Sequence, residues 1–147
     1  NLLHKLAQID SYNWLTDEMV NKCHQFMDQV VSKEVKFEVD IGNTDVTPSN
    51  VQTFVDNVLQ PSREIRFIGR VDAIDKNIIW EFKCVETLTM DHKLQLIVYA
   101  WMYRMYTGSS RIFKLMNIRT GEVLRLDLSN EIIDKIVGIL IKHKCNN

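Results

Sequence analysis

Three charged side chains stand inside otherwise apolar runs in the stretch GRVDAIDKNIIWEFKC, residues 69–84: Asp72, Glu81 and Lys83. Asp75-Lys76-Asn77 between the runs is a turn signal, so the stretch reads as a hairpin. With Lys76-Asn77 as a two-residue loop, Asp75 faces Ile78, Ile74 faces Ile79, Ala73 faces Trp80 and Asp72 faces Glu81. Directly opposed residues bring their Cβ atoms to about 5 Å, and like charges so placed destabilise a sheet. Strand alternation puts Lys83 on the face of Glu81 and turns Trp80 and Phe82 to the other. A divalent cation between the two carboxylates removes their repulsion, and oxygen-only ligation suits Mg²⁺ or Mn²⁺. A neighbouring lysine fits a centre where water attacks a phosphodiester. It can orient or deprotonate that water and stabilise the charge that builds on phosphorus-bound oxygen. A solvated surface hairpin carries Glu-x-Lys just as well, so these three charges alone leave both readings open.

The following helix adds a second constellation. Gln95 and Tyr99 are four apart and share a face, with His92 nearby. Leu94, Ile97, Val98, Trp101 and Met105 form a separate apolar stripe. A polar face beside an acidic hairpin can hold phosphates or hydrogen-bond the site; boundary residues would need no such role.

In this order and spacing, G-R-V-D (69–72), E-F-K (81–83) and Q-L-I-V-Y (95–99) resemble the PD-(D/E)XK nuclease superfamily. The likeness is greatest to its RecB-type and lambda-exonuclease-like branch, whose pattern is GxxD, then (D/E)xK, then QxxxY. It spans residues 69–99 and, loosely, the helix and strand before them. The resemblance implies Asp72 and Glu81 as metal ligands, Lys83 as the catalytic lysine, and Gln95 and Tyr99 as support for site and substrate. It implies a restriction-endonuclease-like α/β core, a central mixed β-sheet flanked by helices. RecB-type members add a metal-binding histidine from an early helix, and His24 in VNKCHQFMDQV is the matching position; the plain alternative is a boundary histidine. Glu38, on the polar side of the first strand, and Glu34 are further acidic candidates. The iron–sulfur branch, which uses four cysteines, is excluded by a chain with three.

The elements that must position these residues are legible from periodicity. Thr16, Asp17 and Glu18 begin an amphipathic helix over about 17–31, with Met19, Val20, Cys23, Phe26, Met27, Val30 and Val31 at helical spacing. VKFEVDI (35–41) alternates Val35, Phe37, Val39 and Ile41 against Lys36, Glu38 and Asp40, a half-buried strand broken at Gly42-Asn43. Pro48 suits the first position of a short helix to about Leu59, capped by Thr47. The hairpin strands follow at about 64–74 and 78–84, then a helix from Met90 to Tyr106 ended by Gly108. RIFKLMN (111–117) and EVLRLDL (122–128) flank an Arg-Thr-Gly turn, and Ser129 caps a last helix. Ile132, Ile133, Ile136, Val137, Leu140 and Ile141 line one face of that helix.

The whole of 1–147 is expected to be a single domain, and an Asn start suits a piece of a longer polypeptide. A net charge of −1 gives no global pull on nucleic acid, which argues against passive DNA binding more than against an enzyme. Arg63, Arg66 and Arg70, with Lys93, are the candidates for a local basic rim. Cys23, Cys84 and Cys145 follow no metal spacing and read as free thiols of a reducing compartment, cytoplasm or nucleus. The longest apolar run, 96–103, is far too short to span a membrane. His4, His92 and His143 take structural or surface readings, and Trp14, Trp80 and Trp101 core readings. The expected function is Mg²⁺- or Mn²⁺-dependent hydrolysis of DNA phosphodiesters in replication, recombination or repair. An RNA-directed nuclease and an inactive nuclease-like scaffolding module are the alternatives. The dense apolar WEFKC and HKLQLIVYAW segments also resemble nuclease domains of large DNA viruses.

Overall fold

Among the described residues, hydrophobic spacing and turn chemistry produce nine elements in the expected order. The computed structural model describes residues 16–30, 32, 34–42 and 44–145. His4, Trp14, Val31 and Asn43, which entered the sequence reading, lie outside these. The elements are α1 (Asp17–Val30), β1 (Lys36–Gly42), α2 (Ser49–Val58), β2 (Ile68–Asp75), β3 (Ile78–Lys83), α3 (Met90–Thr107), β4 (Ile112–Asn117), β5 (Val123–Arg125) and α4 (Asn130–Cys145). The fold is α/β: one five-stranded mixed sheet in the order β1-β2-β3-β4-β5, flanked by four helices. β3 and β4 are parallel and the other pairs antiparallel. A parallel pair cannot be joined by a tight turn, and α3 is its crossover.

Alternation along β3 sends neighbouring residues to opposite sides of the sheet. Ile79 joins a core with Val51, Val55, Leu96, Ile97, Trp101, Leu115, Ile133 and Val137, built by α2, α3 and α4. Trp80 and Phe82 join Ala73, Met116 and Ile118 under Cys23, Phe26 and Met27 of α1. Trp80 and Trp101 are both core residues. α3 starts on Thr89, whose Oγ1 accepts from the His92 N–H while His92 Nδ1 accepts from the Thr89 N–H at 3.0 Å. His92 is therefore a capping residue. α3 ends on Gly108 in the left-handed conformation. Ser129 Oγ accepts from the Ile132 N–H at the start of α4, as expected of a cap.

The structure corrects four local expectations. β1 does not bury Val35, Phe37, Val39 and Ile41 on one face: Phe37 is 58% exposed while Ile41 is in the core. Glu38 lies between them at φ +54°, and that left-handed residue turns the strand over. β2 begins at Ile68 rather than near 64, because β1 ends at Gly42, the ladder partner of Ile68. Pro48 is itself the residue capping α2, with no side-chain hydrogen bond, so Thr47 is not the cap. Ile132 lies on the exposed rim of α4, whose seam is Ile133, Val137 and Ile141. Among the described residues no helix is long and apolar enough to cross a membrane.

Candidate active site

The register of the β2–β3 hairpin is the expected one: Asp75 faces Ile78, Ile74 faces Ile79 and Ala73 faces Trp80. Continuing it one step sets Asp72 across from Glu81. At that step the ladder gives way to a side chain. The Phe82 N–H, which would go on to bond the backbone of β2, donates instead to Asp72 Oδ2 at 2.8 Å. The same place in the β1–β2 ladder lies between Phe37↔Ala73 and Val39↔Val71, opposite the left-handed Glu38. Val71 packs in the α3-side core and Ala73 in the α1-side core, so β2 also turns over at Asp72. The break lets a strand whose neighbours are apolar carry a carboxylate inward.

Asp72 is 6% exposed and Glu81 only 2%. Carboxylates so buried are costly as anions unless compensated. Their oxygen-only donor set fits Mg²⁺ or Mn²⁺, the first-named chemistry for paired acids in a strand. Lys83 continues the Glu81 face, half-buried, and its Nζ donates to Gln95 Oε1 at 2.6 Å. Gln95 Nε2 in turn donates to the Tyr99 hydroxyl at 3.1 Å. One helical turn separates Gln95 from Tyr99, so the α3 backbone sets the spacing of this relay. The Tyr99 ring explains the glycine at 69. A Cβ there would sit 3.0 Å from Tyr99 Cε1 and 3.3 Å from Met102 Cε, tighter than ordinary packing. Glycine lets the ring settle against β2 beside the acids.

The structure does not bring every candidate to this place. His24 is exposed on α1, whose inward residues Cys23, Phe26 and Met27 pack on the Trp80–Phe82 side of the sheet. Among the described residues no three His, Cys, Asp or Glu gather to hold a metal, so the expected trio of His24, Asp72 and Glu81 is not assembled. Glu38 is exposed opposite Asp72, and Glu34 is exposed with its N–H on Ser32 Oγ. Lys93 is two residues from Gln95, which on a helix is nearly the opposite side. It borders an apolar groove with Leu94, Leu124 and Leu126. Arg63, Arg66 and Arg70 are all exposed; Arg70 pairs with Asp40 at 2.8 Å, and that carboxylate raises its already high pKa.

Two buried polar residues escaped the sequence reading. Asp75 accepts from the Ser32 N–H at 2.7 Å and from the Ser32 hydroxyl, which hold its carboxyl below the usual aspartate range. Asn117 is wholly buried beside the end of β3. An Asp before a turn and an Asn after a strand are commonplace turn residues, so neither carried a signal. Cys84 packs in the α1-side core, where burial pushes its thiol up to about 11. Cys23 is raised for the same reason and donates to the Ile118 carbonyl. Neither thiol is a nucleophile at neutral pH.

No family model matches the chain, and no curated protein does. Among solved structures it is similar to a crystal structure from Eubacterium rectale named "Putative exonuclease", with a TM-score of 0.54 at 12% identity. The likeness is one of fold. It covers 88% of this chain and 49% of the other, so this chain spans about half the length of that structure.

Proposed function

We propose that this chain is a metal-dependent nuclease of the PD-(D/E)XK superfamily that hydrolyses DNA phosphodiester bonds. The observation that carries the reading is the Lys83–Gln95 hydrogen bond: it holds an ammonium two residues along β3 from buried Glu81, beside a strand that carries buried Asp72. The fold likeness to a structure named as an exonuclease supports the same class.

Asp72 and Glu81 would hold Mg²⁺ or Mn²⁺, which supplies Lewis-acid stabilisation of a phosphoryl oxygen and of the leaving 3′ oxygen. The chain's own contribution is positioning. The Phe82 N–H holds Asp72 Oδ2, so that carboxylate keeps one orientation. Gln95 holds the Lys83 ammonium where it can orient an attacking water and offset charge on a phosphate. Tyr99, packed on Gly69, keeps Gln95 from rotating. Exposed Arg63, Arg66 and Arg70 give the surface cations for the flanking backbone.

The test is incubation of the protein with linear and circular DNA, with and without Mn²⁺, resolved on a gel. Cleavage that needs Mn²⁺ and falls on the order of 10²–10⁴-fold in a folded Lys83→Ala variant is expected. Full activity in that variant would remove Lys83 from the mechanism and the reading with it. The same gel with a matched RNA oligonucleotide separates deoxyribose from ribose substrates.

A further inference from the structure

Asn117 occupies an unusual position. It ends β4 as the register partner of Lys83, on the side of the sheet where Phe113 and Leu115 of the same strand are core residues. Alternation calls for an apolar side chain there, yet a carboxamide is buried with 0% exposure. A buried amide is tolerated when its hydrogen bonds are made. Asn117 Nδ2 donates to the Val85 carbonyl at 2.7 Å, and Oδ1 accepts from the Val85 N–H at 3.2 Å and the Arg119 N–H at 3.2 Å. Both backbone polar groups of Val85 are thereby taken by one side chain 32 residues away. Next to it, the Ile118 N–H donates to the Lys83 carbonyl at 2.8 Å.

These bonds act at a decisive point of the chain. β3 ends at Lys83, and residues 84–89 lead directly into α3, which carries Gln95. Lys83 and Gln95 must meet at 2.6 Å although they leave opposite ends of that connection. A connection free to shift would let the ammonium move relative to the acids of the same strand face. Two ties at Val85, beside one at the Lys83 carbonyl, define the path.

We propose that Asn117 is a positioning residue for Lys83: by clamping Val85 it fixes the exit of β3 and so the place of the ammonium. This rests on the nuclease reading above. Single-turnover cleavage of linear duplex DNA in Mn²⁺ with excess enzyme, which keeps slow rates measurable, tests it in a two-by-two set of Asn117→Ala and Lys83→Ala. Asn117→Ala is expected to slow cleavage on the order of tenfold to a hundredfold with DNA affinity within about twofold. In the Lys83→Ala background the same change is expected to cost less than about twofold, because its effect is already lost. An equal loss in both backgrounds, or no loss in the wild-type one, overturns the proposal. Asn117→Asp keeps the side-chain volume and the two accepting bonds but opposes an oxygen to the Val85 carbonyl; it is expected to follow Asn117→Ala. A measurement on the unaltered protein guards against variants that do not fold. The Val85 amide should exchange with solvent as slowly as that of Phe82, and exchange as fast as that of exposed Glu86 overturns the clamp. Full cleavage by Lys83→Ala would instead strike the nuclease reading, while leaving the exchange result intact.

Discussion

Asp72 and Asp75 lie three residues apart on one strand, equally buried, and serve opposite ends. Asp75 turns to the α1 side, where Ser32 supplies a backbone and a side-chain donor. Its charge is satisfied locally, and what it accomplishes is to tie the chain leaving α1 to the tip of the hairpin. Asp72 instead accepts from the Phe82 N–H of β3 at 2.8 Å, one step beyond the last ladder pair, where continuing the register sets it across from buried Glu81. The two show that burial of a carboxylate does not identify a site. What separates them is the neighbourhood: Asp75 is held by both donors of one serine outside the sheet, Asp72 by a backbone N–H of the strand that carries Glu81.

Exchanging the two residues' chemistry is the strongest way to break that contrast. Asp72→Asn is expected to lower Mn²⁺-dependent DNA cleavage by about 10²-fold or more, a loss comparable to removing one transition-state donor. Asp75→Asn is expected to leave the rate per folded molecule unchanged. Denaturant unfolding should show the reverse order. Asp75→Ala strands the Ser32 donors and costs about 1–3 kcal/mol, whereas Asp72→Asn relieves repulsion and costs less in metal-free buffer. If both aspartates affected cleavage alike, the division between tie and site would fall.

Acid titration sharpens the same contrast at a smaller scale. Asp75 has its pKa lowered in the folded chain by the Ser32 hydrogen bonds. The folded state therefore binds that proton less readily than the unfolded one, and the stabilisation is complete above the ordinary carboxylate value of about 4. It is lost as pH falls through the lower folded value. Unfolding followed from pH 6 down to pH 2 should show a shallower acid limb in Asp75→Asn than in the wild-type protein.

Two glycines probe the faces more gently. Gly121 stands at φ +80° with the Phe26 ring of α1 within 3 Å of where a Cβ would be, and Gly69 faces Tyr99. Gly121→Ala is expected to destabilise by about 1–3 kcal/mol through strain and overpacking without changing cleavage per folded molecule. Gly69→Ala, with only a few tenths of an ångström to absorb, is expected to cost about 1 kcal/mol and to slow cleavage by displacing Tyr99. Thermal melts and the gel assay separate the two.

The sequence made the hairpin register legible because a two-residue turn fixes the pairing beside it, as far as Ala73 and Trp80; the side-chain bond of Asp72 that takes over at the next step was not legible. The Gln95–Tyr99 relay was legible because helical spacing is rigid. Glu38 was not: nothing in alternating VKFEVDI announces a left-handed residue at its centre. Asn117 escaped because the Val85 backbone it ties is 32 residues away, and His24, named from the family resemblance, lies exposed on α1 over the Trp80–Phe82 side of the sheet. Spacing along a helix or beside a tight turn was readable from the chain; a reversal within a strand and contacts far apart in sequence were not.

The parallel pairing of β3 with β4 has a consequence in time. The β2–β3 hairpin closes over a two-residue turn, an event of about 1–10 μs, whereas β4 can pair only after α3 has crossed over. Asp72 and Glu81 thus come together in a half-built sheet, ahead of Gln95 and Asn117. In that order of assembly the two acids enter the hairpin before the Gln95 hydrogen bond can hold Lys83. A cation held by the two acids, as proposed above, would act at that stage, and its influence would fall on the rate of folding more than on that of unfolding.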